Sequence, residues 1–217
     1  MTPSLPDRFS TVLFDLDGTL IDSVELILSS YRHTLQTHRG TVLPDDVWLE
    51  GLGTPLRAQL ARITDDPAEL DAMVGTYRAH NLAHHDRMVC AYAGVVPALE
   101  ALAAGGRGLA VVTSKLRDGA VRGLRRCGLE RYFPVIVAAD DTERHKPDPE
   151  PVRKALALLD ATPATTVFVG DSPHDLAAGR AAGVATAAAL WGPFPRERLE
   201  PWAPDRWLET PAELGTL

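Results

Sequence analysis

The chain has 217 residues, enough to bury a full hydrophobic core as one domain or as a domain with an insertion. Hydrophobic residues make up 45% of the chain and charged residues 24%, proportions that are typical of a soluble globular protein. The formal net charge of −7 argues against a nucleic acid or an anionic membrane as a partner, although one lysine and a divalent cation could still bind a small anion.

Targeting and disulfide signals are weak. Residues 1–8 lack the apolar stretch of a signal peptide. No apolar run approaches the roughly 20 residues that a helix needs to span a bilayer. The two cysteines, Cys90 and Cys127, provide no disulfide framework. We therefore expect a cytoplasmic protein.

Two aspartates follow the first strand-like run, residues 12–14. Side chains at i and i+2 leave a strand on the same side, so Asp15 and Asp17 would lie close together. One carboxylate could then attack an electrophile while the other moves protons, with a cation between them. Gly18 allows the chain to turn sharply after this pair. An acidic turn that only closes the strand is the alternative, because Asp and Gly are common turn residues.

The pattern then becomes helical up to about residue 87. Apolar residues recur at helical spacing over residues 24–35. Pro55 and Pro67 stand where the first turn of a helix accepts proline, and the helix at Pro55 is predicted to run through Ile63. We predict a module of about four helices inserted between the first strand and the rest of the chain.

From residue 94 onward, predicted strands and helices alternate. The strands are expected at residues 109–113, 135–139, 166–169 and 184–190, with helices between them. Such alternation predicts a parallel sheet that helices cover on both faces. A short edge strand is also expected at residues 205–208. The fold class is therefore α/β.

Polar residues recur at the ends of these apolar runs. Thr113 and Ser114 could donate hydrogen bonds to a phosphate oxygen, or they could cap the next helix. Lys146 lies in a proline-rich segment whose stiffness would hold its charge for a phosphate or a carboxylate. Asp171 could ligate Mg²⁺ directly, since this ion prefers carboxylate oxygens and keeps several waters, and Asp175 could hold one of those waters. The alternative is that Ser172 or Asp171 serves only as a helix cap.

These groups should meet, because the carboxyl ends of parallel strands converge on one crevice. In their identity and order, the chain resembles the haloacid dehalogenase-like hydrolase superfamily over essentially its whole length. The motif residues are Asp15, Asp17, Thr113, Lys146, Asp171 and Asp175. The resemblance implies a Rossmann-like core over residues 1–20 and 88–217 and a four-helix cap over residues 21–87.

The same resemblance implies a phosphatase that depends on Mg²⁺. The ion would be held by Asp15, Asp171 and the backbone carbonyl of Asp17. Asp15 would attack phosphorus to give an aspartyl-phosphate, and Asp17 would act as general acid and base. Asp175 would order the surroundings of the ion. The substrate-binding groups are expected at Thr113, Ser114 and Lys146.

The carboxylate at position 17 favours phosphate compounds, because dehalogenases and phosphonate-cleaving members of the superfamily lack it. We expect a small phosphorylated metabolite of the phosphoglycolate type as substrate. Pyrophosphate is the alternative, since residues 76–81, 113–117 and 137–141 resemble runs in bacillus-type pyrophosphatases of the superfamily. Ser172, which directly follows Asp171, differs from the residue that those pyrophosphatases have at this position. The protein is expected to be a monomer or a homodimer.

Other readings are less favoured. A phosphomutase needs phosphate-binding basic groups in the cap, and the loop of residues 51–55 has none; Arg57 is the nearest candidate and could face the crevice or solvent. A non-catalytic phosphate-binding regulator would be expected to have lost at least one motif residue. His80 and His84 have a spacing that can bind zinc on a helix, but a polar helix face is favoured. The roles of His85, His145 and His174 are left open.

Overall fold

A computed structural model describes residues 9–217. Its strands are β1 (Thr11–Phe14), β2 (Ile21–Asp22), β3 (Cys90–Ala91), β4 (Gly108–Val112), β5 (Val135–Val137), β6 (Thr166–Gly170), β7 (Ala185–Ala189) and β8 (Arg206–Leu208). Six of them form one sheet in the order β5-β4-β1-β6-β7-β8, and every neighbouring pair is parallel. The remaining two, β2 and β3, form a separate antiparallel pair.

The helices pack around this sheet and above it. They are α1 (Val24–Arg39), α2 (Asp45–Leu49), α3 (Leu56–Leu60), α4 (Pro67–Met88), α5 (Val95–Ala104), α6 (Arg117–Arg126), α7 (Glu150–Leu158), α8 (Pro173–Ala182) and α9 (Arg196–Leu199). Within the described part of the chain, no helix is both long and apolar enough to cross a membrane.

The central strand β1 is buried on both faces. Val12 is paired with Leu109 of β4 on one side and with Val167 of β6 on the other. Val12 and Phe14 pack in an apolar cluster with α5 and α6, whereas Leu13 packs in a second cluster with α7 and α8. A continuous apolar run forms such a strand because helices cover both faces of a parallel sheet. The predicted α/β class is confirmed.

Helices α1 to α4 form a cap between β2 and β3. They share an apolar cluster in which the ring of Tyr31 stacks on that of Trp48, with centroids 4.2 Å apart. The β2–β3 pair brings together the two chain segments that enter and leave this cap. The inserted helical cap is therefore as expected, while its division from the core at residues 20/21 and 87/88 stays a prediction.

The helix predicted to run through Ile63 is shorter than expected. α3 ends at Leu60, and residues 61–63 continue only as hydrogen-bonded turns, in which the Ile63 N–H donates to the Leu60 carbonyl at 2.9 Å. The predicted edge strand at residues 205–208 is present as β8, paired with β7.

Candidate active site

Several predicted site residues converge at the carboxyl edge of the central strands. Asp15 directly follows β1, Thr113 follows β4, and Asp171 follows β6; Lys146 lies in the loop before α7, and Asp175 in the first turn of α8. Their exposed fractions are 5%, 5%, 1%, 2% and 0%, respectively. Charged groups buried to this degree must be paired or must bind an ion. The order of the strands in the sheet brings these residues together, as the sequence predicted.

Lys146 lies at the centre of the site. Its Nζ donates hydrogen bonds to Asp15 Oδ1 at 2.7 Å and to Asp175 Oδ1 at 2.6 Å. A third donation goes to the backbone carbonyl of Val112 at 3.3 Å. An ammonium has three donors, and all three are used here. One positive charge is therefore shared between two carboxylates.

A third carboxylate, Asp171, completes an acidic cluster. One oxygen each of Asp15, Asp171 and Asp175 lies within 4.8 Å of the others, and Asp171 also accepts a hydrogen bond from Thr19 Oγ1 at 2.6 Å. Three carboxylates against the one ammonium of Lys146 leave a formal charge of −2 (−3 + 1). The oxygen donors and this charge fit a hard divalent cation such as Mg²⁺.

Glycines make room for this cluster. Gly18 has φ +91°, and a Cβ there would lie 2.7 Å from Asp171 Oδ2. A Cβ on Gly192 would lie 2.3 Å from Asp171 Cβ. Any larger residue at either position would displace Asp171. The contact at Gly192 was not predicted, because residue 192 lies outside every motif and reaches the site only through the fold.

The acidic cluster shifts the pKa values of its members upward. Burial raises the pKa of Asp15 from 3.8 to about 7; Lys146 opposes this shift, and Asp175 adds to it. The pKa of Asp171 is also raised well above its ordinary value. Burial is the largest cause, and repulsion from the carboxylates of Asp175 and Asp15 adds to it. Burial alone would lower the pKa of Lys146, but the two bonded carboxylates outweigh it, so this pKa is raised.

These shifts predict how the stability of the metal-free protein depends on pH. The pKa of Asp15 is about 7 in the native state and 3.8 in the unfolded state, so the native state binds the proton more tightly. The resulting contribution to stability is fully present below pH 3.8 and is lost as the pH rises through 7. In EDTA, the free energy of unfolding of wild type relative to Asp15→Asn should therefore fall between pH 4 and pH 8, and Mg²⁺ should restore it. Urea unfolding at several pH values measures this difference. A difference that rises with pH in EDTA would contradict the expectation.

Asp17 lies outside the acidic cluster and has its own partners. Its Oδ1 accepts hydrogen bonds from Lys115 Nζ at 2.7 Å and from Ser23 Oγ at 2.6 Å. Asp175, rather than the Asp17 side chain, is the third member of the cluster. The Asp17 carbonyl as a metal ligand stays a prediction. The ion pair with Lys115 was not predicted, although Lys115 directly follows the Thr-Ser pair.

The predicted phosphate donors Thr113 and Ser114 are both engaged in protein contacts. Thr113 Oγ1 accepts a hydrogen bond from the Lys115 N–H at 3.1 Å. Ser114 Oγ donates to the carbonyl of Gly53, in the cap loop, at 2.6 Å. A Cβ on Gly53, which has φ +94°, would lie 2.9 Å from Ser172 Oγ. The cap loop therefore closes over the crevice, and the substrate-binding role of the two hydroxyls stays a prediction.

This close approach predicts the effect of adding a methyl group to the loop. Gly53→Ala should lower kcat/KM roughly ten- to hundredfold, because the Cβ pushes the loop away from Ser172 and Ser114. Gly40→Ala is a matched control, since Gly40 also has a positive φ (+64°) but has nothing within 4 Å of the added Cβ. Steady-state kinetics on both variants give the comparison. Equal kcat/KM in the two variants would show that the loop contact does not matter.

Arg57, His80 and His84 contact other residues of the cap. Arg57 forms an ion pair with Asp71, and both side chains are more than half exposed, so Arg57 faces solvent. The ring of His80 stacks between those of His33 and His84, with centroids 4.5 and 4.2 Å away. Over residues 9–217, the only group of three or more side chains placed to share a metal ion is the aspartate cluster. The interpretation of His80 and His84 as part of a polar helix face stays a prediction.

A parallel sheet with a buried acidic cluster and a lysine at its carboxyl edge, beneath a helical cap, is suited to phosphoryl transfer through a carboxylate nucleophile. A family model of the haloacid dehalogenase-like hydrolases matches residues 12–189. The chain therefore belongs to this family, as its motifs predicted, and it is an enzyme of the phosphatase class.

Two relatives show which members of the family this chain is similar to. The chain is 42% identical over 207 residues to pyrophosphatase PpaX of Halalkalibacterium halodurans, and the match covers 95% of each chain. It is also 42% identical over 207 residues to pyrophosphatase PpaX of Anoxybacillus flavithermus, again with 95% of each chain covered. Both matches are essentially full length.

Solved structures agree with the fold. A Bacteroides fragilis protein assigned to the haloacid dehalogenase-like hydrolases has a TM-score of 0.89 at 26% identity, covering 95% of this chain and all of its own. A Haemophilus somnus protein predicted to be a phosphoglycolate phosphatase has a TM-score of 0.86 at 24% identity, covering 95% of this chain and 96% of its own. The solved structures therefore share the fold of this chain, and the relatives with the higher identity are pyrophosphatases.

Proposed function

We propose that the protein is a Mg²⁺-dependent pyrophosphatase that hydrolyses pyrophosphate to two phosphates through a phosphorylated Asp15. The sequence motifs alone put a monoester of the phosphoglycolate type first. The 42% identity to two pyrophosphatases over nearly the whole chain reverses that order. A small phosphate monoester is therefore the second candidate.

One observation carries the proposed mechanism: the buried cluster holds three carboxylates but a single ammonium, that of Lys146, which bonds only two of them. This charge balance supports a divalent cation held by Asp15 and Asp171, with Asp175 beside them and the Asp17 carbonyl as a further predicted ligand. When bound, Mg²⁺ would neutralise charge on the phosphoryl oxygens. Lys146 fixes Asp15 Oδ1 at 2.7 Å, which orients the carboxylate for attack.

The chain's own residues then perform two displacements. In the first, a bond forms between an Asp15 oxygen and phosphorus while the bridging P–O bond breaks. The electron pair passes to the leaving oxygen, which takes the proton of Asp17. In the second, Asp17 takes a proton from water as the water oxygen attacks phosphorus, and the bond to Asp15 breaks. The second phosphate leaves, and both aspartates return to their starting states.

Water is the expected acceptor of the phosphoryl group. A phosphomutase would need cationic groups in the cap to bind a sugar phosphate in two orientations. Arg57, the cation that follows the loop of residues 51–55 in the sequence, is instead paired with Asp71 at the surface. This pairing disfavours the mutase alternative.

A substrate panel tests the proposal. With Mg²⁺, we expect phosphate release from pyrophosphate with a kcat/KM about tenfold or more above that for phosphoglycolate, a difference that a few well-placed contacts can supply. EDTA should stop the reaction, because the acidic cluster needs a cation. Phosphoglycolate as the better substrate would favour the second candidate, and full activity in EDTA would contradict the metal requirement.

A further inference from the structure

Lys115 forms a second ion pair at the edge of the site, separate from that of Lys146. Its Nζ lies 2.7 Å from Asp17 Oδ1, and the two side chains are only 16% and 15% exposed. Lys115 lies between β4 and α6, whereas Lys146 lies in the loop before α7. Within the described residues, Asp17 is the only carboxylate that pairs with Lys115.

The Lys115 side chain is held in place rather than free at the surface. Its backbone N–H donates to Thr113 Oγ1 at 3.1 Å, and its carbonyl accepts from the Ala139 N–H at 2.9 Å. The aliphatic stem lies along α6, where a Cβ on Gly119 would come 3.2 Å from Lys115 Cε. The ammonium is therefore positioned before substrate arrives, which lowers the entropic cost of using it to bind an anion.

The ammonium of Lys115 has donors to spare in the structure. It carries three N–H groups, and among the described residues its recorded partner is Asp17 Oδ1. Its remaining donors therefore lie beside Asp17, the residue proposed to protonate the leaving oxygen. The other lysine of the site is already used by Asp15 and Asp175. A leaving group with its own negative charge would gain from this arrangement, whereas a neutral one would not.

We propose that Lys115 determines specificity for the leaving group by binding its negative charge, which in pyrophosphate is the charge of the second phosphoryl group. The inference rests on the proposed function, because it places the reacting phosphoryl group at Asp15 and the leaving oxygen at Asp17. Lys115 thereby selects pyrophosphate and other substrates with an anionic leaving group over esters of neutral alcohols.

The test compares three substrates in the full chain with Mg²⁺: pyrophosphate, phosphoglycolate, and 2-hydroxyethyl phosphate, which replaces the carboxylate of phosphoglycolate with a neutral hydroxymethyl group. Lys115→Met should lower kcat/KM about 10- to 100-fold for the two substrates with anionic leaving groups, as expected when a charge-assisted hydrogen bond is lost. It should change the value for the neutral ester by less than about threefold, because that leaving group offers Lys115 no charge to bind. Where an ester turns over too slowly, its competitive inhibition constant replaces kcat/KM.

Two further variants serve as controls. Lys115→Arg keeps the charge and should restore most of the preference for anionic leaving groups. Lys154→Met makes the same substitution at a lysine that donates to the Asp141 carbonyl, away from the site, and should leave all three substrates unchanged.

Three results would overturn the inference. The first is an equal loss of kcat/KM on all three substrates in Lys115→Met, which would mean that Lys115 acts only by orienting Asp17. The second is no loss on any substrate in that variant. The third is a wild-type protein that hydrolyses the neutral ester but neither of the other two substrates. A wild-type protein that hydrolyses none of the three with Mg²⁺ would instead contradict the proposed function itself.

Discussion

The Asp15→Asn variant should lose at least about 10⁴-fold in kcat on pyrophosphate, the scale seen when a covalent nucleophile is removed. Asparagine keeps the shape of the side chain, and its amide oxygen can still accept the hydrogen bond that Lys146 now donates to Asp15 at 2.7 Å. The variant also removes one of the three buried carboxylates of the acidic cluster, which Lys146 alone balances with a positive charge. Its metal-free form should therefore unfold no more easily than wild type at pH 8.

Phosphate release at high enzyme concentration and urea unfolding in EDTA measure the two effects of this substitution. Asp65→Asn is a suitable control, because Asp65 lies exposed in the loop before α4. Activity of Asp15→Asn within tenfold of wild type would exclude Asp15 as the nucleophile. Loss of activity together with a large loss of stability would mean that Asp15 is mainly structural.

The Lys146→Met variant should be destabilised by about 3–5 kcal/mol in EDTA at pH 8, as when one partner of a buried ion pair is removed. Lys146 is 2% exposed, and its loss leaves three buried carboxylates without a cation. Activity should fall at least about 100-fold, because the variant also lacks a preorganised charge near the phosphoryl group. At pH 5 the loss of stability should shrink, since the carboxylates can then take up protons.

A double-mutant cycle separates this electrostatic effect from simple loss of packing. Adding Asp15→Asn to Lys146→Met should recover part of the stability, because it removes one of the unpaired charges. Lys154→Met is the matched control, and its free energy of unfolding should stay within about 0.5 kcal/mol of wild type. Additive effects of the two site substitutions, or a Lys146→Met variant as stable as wild type, would contradict the electrostatic account.

Much of the core was predictable because its strands are continuous apolar runs. The strand predicted at residues 109–113 is β4 (Gly108–Val112), and the one predicted at residues 166–169 is β6 (Thr166–Gly170). In a parallel sheet, ligand-binding residues follow such strands, so the motif positions also predicted that Asp15 and Asp171 would meet. Local pattern and topology together are sufficient for this part of the site.

The contacts that the sequence did not reveal join residues far apart in the chain. Lys115 and Asp17 are 98 positions apart, and their ion pair exists because β4 and β1 are neighbours. Trp191 Nε1 donates to the carbonyl of Thr19 across 172 positions. No local periodicity carries information on such pairs. The two-residue strands β2 and β3 were missed for a different reason: they are too short to show any period.

The stereochemical course at phosphorus tests the central claim most directly. A pyrophosphate analogue with a thiophosphoryl group, made chiral with ¹⁸O and hydrolysed in ¹⁷O-labelled water, yields thiophosphate whose configuration can be read. Each in-line displacement inverts the phosphorus centre, so two displacements through Asp15 predict net retention. Net inversion would mean that water attacks the substrate directly, and it would contradict a phosphorylated Asp15.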